Sequence, residues 1–216
     1  MNAHTPIRVA LIGYGYWGPN LARNLQESAL FELVGICDQS ENQRALIKRR
    51  FPSIQVFEEV SDILNDDQID AIVIATPPST HFSIAMQGLK AGKHVLVEKP
   101  ITLDSQEAIQ LIHTAKLQSL QLMVDHTFVY SPPVQYLYES IAKNDLGSLH
   151  AFDSTRINLG LIQKDTNLAF ISRQPFRKWN LARWFGSVNS HCHLSFSYLI
   201  ASVISTRGRS FQLTSQ

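Results

Sequence analysis

Ile7-Arg-Val-Ala-Leu-Ile12 runs straight into Gly13-Tyr-Gly-Tyr-Trp-Gly18, which runs straight into Leu21-Ala-Arg-Asn-Leu25. An apolar run, three glycines spaced GxGxxG and an amphipathic segment place those glycines where a buried strand turns into a helix. The first glycine permits the tight turn, the second lets backbone approach a pyrophosphate, and the third lets helix and strand pack closely. Amides at the helix start face the negative charge. Asp38 ends a second apolar run, Phe31-Glu-Leu-Val-Gly-Ile-Cys37, twenty residues beyond Gly18. A carboxylate there accepts hydrogen bonds from an adenosine ribose. The spacing alone also fits a strand-helix turn without ligand; the flanking strand, helix and acid favour dinucleotide binding.

Outward from this junction, short apolar runs alternate with helix-length amphipathic segments. The runs are Ile7–Ile12, Phe31–Cys37, Ile54–Phe57, Ile69–Ala75, His94–Val97 and Leu120–Val124. Between them lie Asn20–Ser28, Glu41–Arg50, Val60–Leu64, Thr80–Ala91 and Ser105–Gln118, several opened by Ser, Thr or Asp at the N-cap. The pattern predicts an α/β fold, a doubly wound parallel sheet of the Rossmann type with helices on both faces. Ligands of such sheets lie beyond the C-terminal ends of the strands. Those ends carry Gly13, Asp38, Thr76-Pro-Pro-Ser-Thr-His81 and Glu98-Lys-Pro100.

Glu98-Lys99-Pro100 places an ammonium and a carboxylate at this rim. Oxidising an alcohol sends a hydride to a cofactor and a proton to a base, and a lysine whose pKa is lowered by partial burial can take the proton. Pro100 restricts Lys99 and permits a cis bond that aims it. For an isolated tripeptide, a surface Glu-Lys pair ending a strand is the commoner explanation.

The chain has 216 residues and a net charge of +1, with 44% hydrophobic residues, enough to bury a core. Nothing in this balance points to nucleic acid. Two cysteines, Cys37 and Cys192, read as free thiols in a reducing, cytoplasmic setting. The run Ile7–Ile12 is too short for an export signal, and Leu194–Ile204 falls far short of the roughly 20 residues that span a bilayer. His191-Cys-His193 lacks a fourth ligand and the spacing of a structural zinc site, so no metal is expected.

The GYGYWGPN opening, Thr76-Pro-Pro-Ser-Thr-His81, Glu98-Lys-Pro100 and Asp125-His-Thr-Phe-Val-Tyr130 together resemble the Gfo/Idh/MocA family of NAD(P)-dependent oxidoreductases, over about residues 7 to 167. Four motifs in order reverse the odds on the lysine tripeptide. Within the family, GYWGPN, His126–Tyr130 and Arg156-Ile-Asn-Leu-Gly160 are similar to members acting on nucleotide-linked sugars, notably UDP-N-acetylglucosaminuronate 3-dehydrogenases. The resemblance implies a pyrophosphate held by Gly13, Gly15 and Gly18 with the backbone of Tyr14, Tyr16 and Trp17, and a ribose held by Asp38. Thr76, Pro77 and His81 would lie along the cofactor, Glu98 would meet its nicotinamide half, and Lys99 matches the catalytic lysine. Asp38 favours NAD, although Ser40 and Arg44 leave room for NADP. His126, Tyr130, Arg156 and Asn158 are candidates for binding a sugar or nucleotide-sugar substrate; read alone, His126 and Tyr130 equally end a strand. Asp125 departs from the small residue usual before this histidine.

Three regions are expected: an NAD(P)-binding Rossmann domain over 1–125, the start of an incomplete α+β substrate and oligomerisation domain over 126–167, and an atypical tail over 168–216. Intact family members form homo-oligomers through the second domain. All 18 acidic residues lie at or before Asp165, while the last 51 residues carry six arginines and lysines and no acid. A Trp-Asp segment and a later His-Asp pair, expected by resemblance, are absent. This reads as a truncated or out-of-frame end, whose alternative is a basic extension for an acidic partner. Two functions follow: a hydride-transferring sugar dehydrogenase, or a non-catalytic dinucleotide binder lacking a complete site.

Overall fold

Parallel pairing organises the first unit of the chain. The computed structural model describes residues 5–147, and the chain divides into one compact unit ending at His126 and a second beginning at Thr127. The first contains β1 (Ile7–Ile12), α1 (Gly18–Glu27), β2 (Phe31–Cys37), α2 (Glu41–Arg50), β3 (Gln55–Phe57), α3 (Val60–Leu64), β4 (Ala71–Ile74), α4 (Pro78–Lys90), β5 (His94–Glu98), α5 (Ser105–Leu117) and β6 (Leu122–Asp125). All six strands are parallel in the order β3-β2-β1-β4-β5-β6. This is the order of a dinucleotide-binding sheet, whose direction of winding reverses between β1 and β4.

Side-chain alternation along β1 explains why both faces are covered. Val9 and Leu11 join Ala22 and Leu25 of α1 and Ile47 of α2 in one core. Ala10 and Ile12 join Ile63 of α3, Leu89 of α4 and Leu111 of α5 in the other. Buried on both sides, the strands must be apolar throughout, and each fully buried Leu or Ile contributes about 2 kcal/mol. The register slips between Val9 and Ala10 against β2.

Local chemistry sets the helix ends. Asp104 caps α5, its Oδ1 accepting from the amides of Gln106 at 2.6 Å and Glu107 at 3.3 Å. Lys93, only 4% exposed, donates from Nζ to the carbonyls of Asp66 at 2.7 Å and Ile69 at 2.8 Å. A buried ammonium is tolerated because both contacts are charge-assisted hydrogen bonds.

The second unit begins with a 3-10 turn, Thr127–Tyr130, and α6 (Pro132–Ala142). His126 and Tyr130 therefore do not end a strand: β6 stops at Asp125, and Pro132-Pro133 start a helix whose first turn needs no amide donors. Arg156, Asn158, His191-Cys-His193 and the 168–216 tail lie outside the described residues. Among the described residues no helix is long and apolar enough to cross a membrane, and no three potential metal ligands cluster.

Candidate functional site

The candidate site is a row of contacts along the C-terminal rim of the sheet, one link per neighbouring strand. Gly13 leaves β1 with φ +96°, and a Cβ there would stand 2.7 Å from the Ala75 carbonyl oxygen and 2.9 Å from the Thr76 amide. Only glycine lets the turn press against the end of β4. A Cβ on Gly18 would stand 2.5 Å from the Gly13 carbonyl, so helix and strand meet as the sequence requires. Gly15 is different, because a Cβ there would meet nothing within 4 Å. The space over Gly15 is open, and it lies before α1, whose N-terminus has no side-chain cap. A diphosphate fits such a bare, amide-lined bend.

Around that bend, the Tyr14 ring is fully buried and meets Phe51 edge-on, whereas Tyr16 and Trp17 are exposed and pack edge to face on each other. The Tyr14 ring thus anchors the bend in the core. Asp38 joins the turn to the next loop: Oδ2 accepts from the Tyr14 amide at 2.7 Å and Oδ1 from the Ser40 amide at 2.8 Å. Each carboxylate oxygen retains further accepting capacity for a ribose hydroxyl.

On the other side of the β1/β4 switch, Thr76 and Thr80 hydroxyls lie 2.7 Å apart, and Pro77 precedes α4. His81 is 1% exposed. Its Nε2 lies 2.9 Å from the Thr76 carbonyl oxygen and its Nδ1 lies 2.7 Å from the Pro100 carbonyl oxygen. The ring is therefore spent on two backbone acceptors, tying the loop after β4 to the loop after β5, and reaches a cofactor only through those loops. One N–H of a neutral ring satisfies one carbonyl; two N–H groups satisfy both.

The tied loop carries Lys99, and the Lys99–Pro100 bond is cis. Lys99 is exposed at the rim within the described residues, not partly buried as expected. Its amide donates to Glu98 Oε2 at 3.2 Å. Burial pushes the Glu98 carboxyl above the ordinary carboxylate range, the charge of Asp125 pushes it further, and the Lys99 amide and ammonium oppose them. His126 is exposed, its amide donating to the Val124 carbonyl at 2.8 Å. Tyr130, in the second unit, is 48% exposed.

The rim thus brings together Gly13, Gly15, Gly18, Asp38, Thr76, Glu98 and Lys99 in strand order. From β2 to β5 is three strand spacings, roughly 14 Å, a span suited to an extended dinucleotide lying across the switch point. Residues 7–126 match the Gfo/Idh/MocA model, described as an oxidoreductase family with an NAD-binding Rossmann fold. The chain belongs to this family. Its similarity to the uncharacterized oxidoreductase YdgJ of Escherichia coli is 34% identity, covering 68% of this chain and 42% of the relative. Similarity to the UDP-N-acetylglucosamine 3-dehydrogenase of Acidithiobacillus ferrooxidans is also 34%, covering 62% and 41% respectively. Among solved structures, a 3-ketoreductase from Actinomadura kijaniata in complex with NADP and TDP-benzene superposes with a TM-score of 0.60 at 28% identity, covering 65% of this chain and 43% of that one. The chain of this Gfo/Idh/MocA member spans about half the length, or less, of these relatives.

Sequence reasoning missed two polar residues, Thr80 and Glu58, and the tie that His81 makes to the Pro100 loop. A threonine or glutamate beside a strand end has no spacing that marks it. Glu58 pairs with Arg44, whose Nη2 lies 3.1 Å from Glu58 Oε2.

Proposed function

We propose that this chain carries the dinucleotide half of an oxidoreductase that moves a hydride between NAD(P) and a secondary alcohol of a sugar or nucleotide sugar. The observation that carries the proposal is the continuous rim, with an open glycine bend at one place and a lysine two strands away. When bound, the dinucleotide supplies the two-electron acceptor or donor. The chain's residues do the remaining work. The bend and α1 hold the diphosphate; Asp38 holds the ribose; the His81 tie fixes the loop that carries Lys99. As the alcohol C–H leaves as hydride, its O–H proton passes to the Lys99 amine, and the reverse direction returns it.

The similarity to the UDP-N-acetylglucosamine 3-dehydrogenase named above supports the substrate class, as does the pattern His126–Tyr130. Full-length protein should bind NADH, and should reduce NAD when offered UDP-sugars. Lys99→Ala should lower turnover at least about a thousandfold while leaving NADH affinity within about twofold, the pattern of a lost proton acceptor. NADH binding with no turnover on any sugar, sugar nucleotide or inositol would favour a non-catalytic binder.

A further inference from the structure

Arg44 stands one turn into α2, beside the carboxylate that would meet the ribose. Its Nη1 donates to the carbonyls of Asp38 at 3.0 Å and Gln39 at 2.7 Å, and its Nη2 meets Glu58 at 3.1 Å. Glu58 follows β3 directly, and the pairing of Cys37 with Phe57 sets it beside Asp38 across the strand ends. The Cys37 thiol, 3.4 Å from the Glu58 carbonyl oxygen, fixes the Glu58 backbone. The same thiol is pushed up to about 12 by burial and by the charges of Asp38, Glu59 and Asp62, with Arg44 alone opposing. Acidic charge therefore outweighs basic charge at this corner.

A guanidinium near the ribose acid is the usual means by which a Rossmann domain accepts a 2′-phosphate, and its fork suits phosphate oxygens. Here the fork is already turned onto two carbonyls and one carboxylate. The Glu58 side chain is 62% exposed, and an exposed pair of this kind contributes little to folding. Its geometry matters more for what Arg44 is kept from doing.

We propose that Glu58 is a specificity-determining residue, which holds Arg44 away from the adenosine 2′-position and so biases this domain toward NAD over NADP. The proposal rests on the dinucleotide reading above. It assigns to the end of β3 a role that Asp38 alone does not fill.

The test is calorimetric titration of the full chain, with NADH and NADPH separately, for wild type, Glu58→Gln, Arg44→Gln and the double variant. Glu58→Gln should tighten NADPH binding by about fivefold and leave NADH within about twofold. Adding Arg44→Gln should abolish that gain. If Glu58→Gln changes both nucleotides equally or neither, the proposal fails. If the gain survives Arg44→Gln, Glu58 acts by repulsion alone and the holding role is overturned. A wild-type chain that binds neither nucleotide, while melting cooperatively, overturns the dinucleotide reading and this proposal together.

Discussion

Glu98 pairs with Asp125 across the ends of β5 and β6, so two carboxyl groups face each other at the rim beside Lys99. Burial and this neighbour raise Glu98 above its ordinary value of 4.5. An acid raised in the folded state binds more protons folded than unfolded, so its contribution is complete below about pH 4.5 and is lost as pH rises through the folded value. Urea denaturation of wild type and Glu98→Gln across roughly pH 4 to pH 8 should show the variant gaining stability relative to wild type as pH rises. A difference that stays flat would mean that Glu98 does not titrate in this way.

His94 has the opposite sign. Burial lowers it below 6.5, with Asp70 opposing, and its Nδ1 accepts from the Gln121 amide at 3.0 Å. A base lowered in the folded state contributes fully above about pH 6.5 and loses that contribution as pH falls through the folded value. His94→Asn, which keeps an acceptor but not a titrating ring, should reduce the acid sensitivity of the melting temperature between about pH 6.5 and pH 5.

The His81 ring lies between the Thr76 and Pro100 carbonyl oxygens and donates to at least one of them. Removing it in His81→Ala should cost about 1–3 kcal/mol in chemical denaturation, the cost of a buried acceptor left unpaired. His81→Gln should recover part of that loss through its one amide group. Equal stability for all three proteins would show that water replaces the ring without penalty.

Gly13→Ala should lose at least about 2 kcal/mol, because it adds a Cβ at positive φ against the Ala75 backbone. Gly15→Ala should fold with nearly wild-type stability, since its Cβ meets open space, yet should weaken NADH binding at least about tenfold. The pair separates the fold's need for glycine from the ligand's need, with a melt and a titration on each variant.

Much of this fold is legible because parallel strands buried on both faces must be apolar end to end. β1 and β2 run as read, bounded by Gly13 and by Asp38. β4 is shorter than its apolar run: Ile69 is held by a turn, its amide on the Asp66 carbonyl at 3.1 Å and its own carbonyl on Lys93. Leu120 likewise belongs to the close of α5, bonding the Ala115 carbonyl at 2.9 Å, so β6 begins at Leu122. Apolar side chains report burial, not which backbone partner they have. The rim was legible through Gly13, Asp38 and Glu98-Lys99-Pro100, whose residue types carry the chemistry themselves. Lys93, Glu58 and the bond of His81 to Pro100 were not, because each joins residues far apart along the chain, a link that sequence spacing does not reveal. The 3-10 turn and α6 were also missed, since an aromatic, β-branched segment before two prolines reads as extended chain.

Asp38 latches the glycine bend and the β2–α2 loop to each other through one carboxylate. Under the proposed function these two segments flank the adenosine moiety, and the latch holds them in place before a nucleotide arrives, leaving little ordering for it to impose. Stopped-flow mixing with NADH should then give one concentration-dependent phase, with no slow rearrangement trailing behind it. Speed of capture, as much as grip, is what this latch provides.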